Sequence, residues 1–415
     1  MSQIKSFAGR IPVKYHPVLF WGILILILAA GVAALVYATP YGPGLINDSV
    51  VYIGGAENIR AGHGYSRTSG GGEIKPLTVN VPLYSYTLAA VGSAGVDMIQ
   101  AGWLVSLVCF ALNGMLSALL VLKLTRSRLW ALAGAVFVVT SESVIRAHTF
   151  ALSEPLFITL MLASLLALLY ALERHEWYFT AAAGVLVSLT YLTRYIGLSL
   201  LATGVAAFFV FMPTWKSRFI KIGWFLLFSL LGGLAWVARN MMVSGTAANR
   251  SLLYHPLTSD KLREGTQTLL SFLFPERLNL YEHFSRLSDS FAISLIIALV
   301  VLVYIFWRLG KKNEEKTQTG WRGAFLFTIQ SLFYLVVLLL SLTFLDASTA
   351  LENRILVPSF VCLILIFVYI LHGLWKRGGW ACGISVAVMM LVFLAGAYDG
   401  RRAVIDLHAD GQGYA

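Results

Sequence analysis

Eleven apolar runs recur along this chain, and no other feature limits its fold so strongly. They cover 17–38, 97–122, 129–145, 152–172, 179–193, 195–212, 219–237, 291–308, 323–343, 355–373 and 380–397. A helix needs about 20 apolar residues to cross the hydrocarbon core of a bilayer, at about 1.5 Å per residue. The expected fold is an all-α polytopic membrane helix bundle of about 11 transmembrane helices, with short amphipathic helices in the first outer loop. Two breaks are slight. A short polar stretch separates 129–145 from 152–172, and little more than Thr193-Arg194 splits 179–193 from 195–212. Composition agrees: 12% of residues are charged, against about 25% in soluble domains.

Charge orients the bundle. With the N-terminus inside, the cytoplasmic segments collect 17 of the 31 Lys and Arg residues but only Glu173, Glu176, Glu314 and Glu315 among the acids. The short loops Lys123–Arg128, Lys216–Lys221 and Lys376–Arg377 weigh most, because the positive-inside bias is strongest in short loops. The formal net charge of +11 is explained this way. No Lys/Arg run is interleaved with aromatics, so a nucleic-acid partner is not expected. Cys109, Cys362 and Cys382 fall inside apolar runs and read as small core residues. Lys5, Arg10 and Lys14 precede a first run long enough for an uncleaved anchor.

The chain reads as a single transmembrane domain over 1–415, with two large outer segments, 39–96 and 238–290. Their apolar stretches Val81–Val91 and Leu269–Phe274 are too short to span and are expected on the membrane surface or against the bundle. Lys311–Gly320 reads as a flexible cytoplasmic linker. In the first outer segment Asn47-Asp48-Ser49 offers an N-cap, and Val50–Arg60 a short helix ending at Gly62 and Gly64. Asp48 then sits on its first turn, sharing a face with Tyr52. Capping and the helix dipole favour an Asp there on structural grounds alone. The rim of a bilayer is nevertheless an expensive place for a carboxylate.

The run Asp48-x-x-x-Tyr52-x-x-x-Ala56-x-x-Ile59-x-x-Gly62-x-Gly64-Tyr65, followed by Pro76 and Pro82-Leu83-Tyr84, resembles the first outer loop of C-type (GT-C) integral-membrane glycosyltransferases. It is most similar to the protein O-mannosyltransferase and aminoarabinose-transferase branch. Ser153-Glu154-Pro155-Leu156-Phe157, Leu192-Thr193-Arg194-Tyr195-Ile196-Gly197-Leu198 and Glu352-Asn353-Arg354-Ile355-Leu356-Val357-Pro358 resemble later motifs of that family in the same order. The resemblance implies a transferase that moves a sugar from a polyprenyl-phosphate carrier to a glycan, lipid or protein acceptor at the outer face, with inversion. It implies that Asp48 is the catalytic base. Many members carry a second acid directly after that position, where this chain has Ser49.

Such chemistry needs a base for the acceptor proton and cations for the departing lipid phosphate. Arg194, Arg354 and Arg146, the last beside His148, are candidates for the second role, since Arg grips phosphate with two prongs. The alternative for each is snorkelling to lipid headgroups. Glu154 is a candidate for orienting an arginine or binding acceptor, or it merely complements a helix dipole. Tyr52, Tyr65 and Tyr84 can stack on a sugar ring or anchor at the interface. His63 joins the candidate binding residues, although a lone His in a glycine-rich loop, like His255 and His283, more often binds nothing. No HxxH, HExxH or DxD pattern occurs, so no cofactor is expected and a metal is not indicated. Two other classes remain open: a multi-span transporter or flippase for a lipid-linked or anionic substrate, and an inactive assembly subunit. Pro155, Pro213 and Pro358 lie at span ends, not mid-span, which argues against the transporter.

Overall fold

In the computed structural model, residues 16–174, 176–272, 296–306, 308 and 318–411 are described. Each apolar run falls largely on helix where it is described. In chain order these helices are α1 (His16–Ala38), α4 (Met98–Thr125), α5 (Arg128–Val139) with α6 (Glu142–His148), α7 (Glu154–Glu173), α8 (Trp177–Thr193), α9 (Leu198–Phe211), α10 (Trp215–Ser244), α12 (Ile296–Phe306), α13 (Gln318–Phe344), α14 (Asn353–Arg377) and α15 (Gly379–Ala409). The chain is a multi-pass helical membrane protein. By length and apolar composition seven of these helices can cross a bilayer, or eight if the pair α5 and α6, bent by 58°, is one span. Trp177–Thr193, Tyr195–Phe211 and Ile296–Phe306 are shorter. The expected count of eleven full-length spans is therefore not confirmed among the described residues. One cause is local: Arg194 is extended (φ −155, ψ 137), so the backbone leaves the helix there and divides one long apolar stretch into two short helices.

Helix α7 is the central post. Phe157, Ile158, Met161, Leu162, Leu165 and Leu168 are fully buried, with α4, α8, α9, α13 and α14 against it. On α1, α10 and α15 most side chains point outward, among them Leu26, Leu234 and Leu391. Outward leucines are stable only where lipid replaces water, so these three helices form the lipid-facing rim.

The 39–96 segment adds α2 (Asn47–Arg60), a hairpin of β1 (Ser66–Thr68) and β2 (Ile74–Pro76), and α3 (Leu83–Gly92). The hairpin, antiparallel with Ser66 opposite Pro76, is the departure from an all-helical reading among the described residues. Helix α3 packs against α2 and α4, burying Tyr84, Leu88 and Ala89. In the 238–290 segment α11 (Ser259–Ser271) buries Leu269, and Phe272 stacks on Phe360 at 4.4 Å. Residues 273–290 of that segment, with His283, lie outside the described residues, as do residues 311–317 of the charged linker.

Candidate active site

Local chemistry sets the position of Asp48. Pro40, Gly42 and Pro43 end α1, and the chain then makes an isolated bridge between Gly44 and Phe150. Gly44 donates to Thr149 O at 2.8 Å and Ala151 donates to Gly44 O at 3.1 Å. The start of α2 is thus pinned to the turn that opens α7. The cap is Ile46, and the Ser49 hydroxyl accepts from the Ile46 amide at 3.2 Å, so Ser49 is spent on the helix end. Asp48 lies on the first turn beside the orphan amides, where a carboxylate is favoured. At the other end Ala61 caps the helix and Gly62 turns the chain at φ +81, a conformation that suits glycine.

A second set of contacts closes the segment over the bundle. Arg239, near the end of α10, donates to the carbonyls of Tyr65 (2.8 Å) and Leu77. Asn240 donates to Thr78 O at 3.2 Å. These hold Val79–Val81 as one wall of a cavity of about 410 Å³. Asp48, Tyr52, Arg194 and Arg354 face it from α2, the α8–α9 break and the start of α14.

Two acid–arginine pairs organise the charge. Arg354 Nη1 donates to Asp48 Oδ2 at 2.9 Å, while its Nε donates to Glu352 Oε1 at 2.5 Å. Behind them Arg194 Nη1 stands 2.6 Å from Glu154 Oε1. That approach lies off the N–H axis, so it is an ion-pair contact, and neither oxygen of the buried Glu154 has an aligned hydrogen-bond donor among the described residues. Arg194 Nη1 also donates to Ser153 Oγ at 3.2 Å, and the Tyr52 hydroxyl lies 3.2 Å from the same oxygen. Burial above all pushes the Tyr52 phenol above its ordinary range, so it stays neutral.

No family model matches the chain, and no curated protein matches it in sequence. Solved structures do match. The apo oligosaccharyltransferase of Archaeoglobus fulgidus superposes with a TM-score of 0.54 at 11% identity, over 97% of this chain and 57% of that one. The oligosaccharyltransferase AglB from Archaeoglobus fulgidus, in complex with an inhibitory peptide and a dolichol-phosphate, gives 0.53 at 10% identity, over 94% and 56%. The fold is GT-C. This chain spans a little over half the length of those oligosaccharyltransferases.

Within the GT-C frame the remaining candidates disperse. Arg146 pairs with Glu142 one turn away on α6, at 2.7 Å, and does not line the cavity. His148 is buried, with Asn113 Nδ2 3.0 Å from its Nε2 and Val144 O 2.7 Å from its Nδ1. His63 is exposed on the turn before β1. Tyr65 packs with Leu77, Val81 and Trp236, and Tyr84 is buried edge-on against Tyr52. Four of the expected residues therefore line one cavity and Glu154 backs it.

The cavity also holds groups that no motif signalled. Arg250 lies over the Tyr195 ring and 3.9 Å from Asp346. Partial burial raises the Asp346 carboxyl, but hydrogen bonds from Ser348 and Thr349 and the Arg250 charge outweigh it and hold it below the ordinary carboxylate range. Arg250 and Asp346 come from irregular chain after α10 and α13, where only an acid and a base of opposite charge in facing loops hint at a pairing.

Proposed function

We propose that this protein is a polyprenyl-phosphate-sugar-dependent glycosyltransferase that moves a hexosyl or pentosyl group to an acceptor at the outer membrane face with inversion. The observation that carries this reading is the convergence of Asp48, Arg194 and Arg354 on one cavity. The fold's likeness to an oligosaccharyltransferase bound to dolichol-phosphate supports a lipid-phosphate donor. The basic short loops support a cytoplasmic N-terminus and an outward cavity in the cytoplasmic membrane.

The donor phosphate enters between Arg194 and Arg354. Arg354 is held by Asp48 through a part-exposed ion pair, a weak tether in a wet site. The monoanionic phosphodiester of the donor competes for that guanidinium and frees the carboxylate, and the second negative charge that forms on the departing lipid phosphate strengthens that contact. The acceptor oxygen or nitrogen attacks the anomeric carbon, forming the new glycosidic bond. The bond from that carbon to the phosphate oxygen breaks, and its electron pair stays on the oxygen beside the arginines. Asp48 takes the acceptor proton. A single in-line displacement of this kind inverts the anomeric centre. Glu154 touches no substrate in this scheme; it positions Arg194.

Asp48→Asn tests the proposal in proteoliposomes loaded with a labelled polyprenyl-phosphate sugar. Transfer should fall by about 10²- to 10⁴-fold, the range expected on losing a general base, while donor binding and thermal unfolding stay near wild type. Wild-type transfer by that variant would remove the catalytic role. Labelled lipid crossing the bilayer with no product formed would favour the transporter.

A further inference from the structure

Helix α14 joins two cavities. Arg354 opens it at the Asp48 cavity, and Lys376 and Arg377 close it. At about 1.5 Å per residue the helix is long enough to cross a hydrocarbon core, so its ends meet opposite faces of the membrane. At the far end lies a second cavity of about 520 Å³. Its wall is apolar, with Leu302, Ile305, Phe306 and Ile370, while Arg126, Lys376 and Arg377 stand on its lining. An adjoining depression shares Arg126, His372 and Lys376 and adds Arg128. Among the described residues no carboxylate pairs with any of these four cations. Like charges gathered beside an apolar slot repel one another until an anion joins them.

A second, independent observation points the same way. His372 is 4% exposed and lines both spaces. Its ring is fixed edge-on to Trp130 and stacked on Trp375, and its Nε2 has no hydrogen-bond partner among the described residues. A buried ring nitrogen left without a partner is costly unless a ligand supplies one.

We propose that this cavity binds an anionic phospholipid of the leaflet it faces. The acyl chains lie on Leu302, Ile305, Phe306 and Ile370, the phosphate sits among Arg126, Lys376 and Arg377, and His372 Nε2 meets a phosphate oxygen. Charge complementarity selects this occupant, since a zwitterionic lipid would bring its own cation into a cluster of cations. Basic pockets between transmembrane helices commonly hold anionic headgroups.

Native mass spectrometry of the full-length protein, titrated with phosphatidylglycerol or phosphatidylcholine of matched chains, tests it. Wild type should hold phosphatidylglycerol at least tenfold tighter. R126Q/K376Q/R377Q should abolish that preference, and R126K/K376R/R377K should keep it. H372F should weaken phosphatidylglycerol while leaving the preference in place. Equal affinities in wild type, or an unchanged preference in the triple Gln variant, would overturn the proposal. So would displacement of phosphatidylglycerol by stoichiometric undecaprenyl phosphate, which would make the occupant a carrier lipid. Because lipid retention is the readout, failure here leaves the Asp48 proposal standing, and failure of that proposal leaves this one standing.

Discussion

The two acid–arginine pairs of the candidate site differ in the property that decides their worth. Glu154 is 1% exposed and Arg194 20%, whereas Asp48 is 46% exposed and Arg354 28%. Burial makes the first pair a frame: removing one partner strands a charge in a low-dielectric place. Exposure makes the second pair exchangeable, because water screens the attraction and can replace either partner. A transferase needs both kinds. Something must hold an arginine still, and something must release a carboxylate when the donor arrives.

The largest expected effect falls on the buried pair. Glu154→Ala should destabilise the protein by about 3–5 kcal/mol, read as early thermal unfolding in detergent. Glu154→Leu combined with Arg194→Met should recover most of that stability and no transfer. If Glu154→Ala unfolds like wild type, the contrast between the pairs is wrong.

Arg354 sharpens the contrast from the other side. Arg354→Gln removes a charged hydrogen-bond donor worth about 1.5–3 kcal/mol, so the donor KM should rise about 10- to 100-fold. Stability should move by less than about 1 kcal/mol. Arg354→Lys should recover part of the affinity, since it keeps the charge but loses the fork. An unchanged KM would place the donor phosphate elsewhere.

The smallest effect belongs to Asp346. Its carboxyl is held below the ordinary range in the folded state, so its contribution is fully present above the unfolded carboxylate pKa. It fades as pH falls through the depressed folded value. Asp346→Asn should therefore narrow the stability gap between neutral and strongly acid pH, by less than about 1 kcal/mol given the exposure of the Arg250 pair. An identical pH profile in the variant would show that Ser348, Thr349 and Arg250 do not stabilise the charge.

Much of this was legible in the chain. Among the described residues each apolar run marks helix, because lipid-facing and core-facing helices alike must be apolar. The cap chemistry around Asn47-Asp48-Ser49 and the positive-φ Gly62 located α2 to within a few residues. Span lengths were less readable: the extended backbone at Arg194 and the 58° bend after Val139 shorten helices whose composition is continuous. Arg354 stood out as a charge at a span end and Asp48 as a carboxylate at the rim of the bilayer, but their meeting is tertiary, across 306 residues. Arg146 carried the same signal and is taken by Glu142, its neighbour at i−4. Periodicity alone could have suggested that pairing. Arg250 and Asp346 lie in irregular segments, where neither hydrophobic period nor cap constrains position, and only the folded bundle brings them together.

The decisive measurement is a structure with polyprenyl phosphate bound. Phosphate oxygens should lie within about 3 Å of both the Arg194 and Arg354 guanidiniums, with Asp48 released from Arg354 and facing the open cavity. A phosphate lodged away from both arginines, with the Asp48–Arg354 pair intact, would contradict that placement.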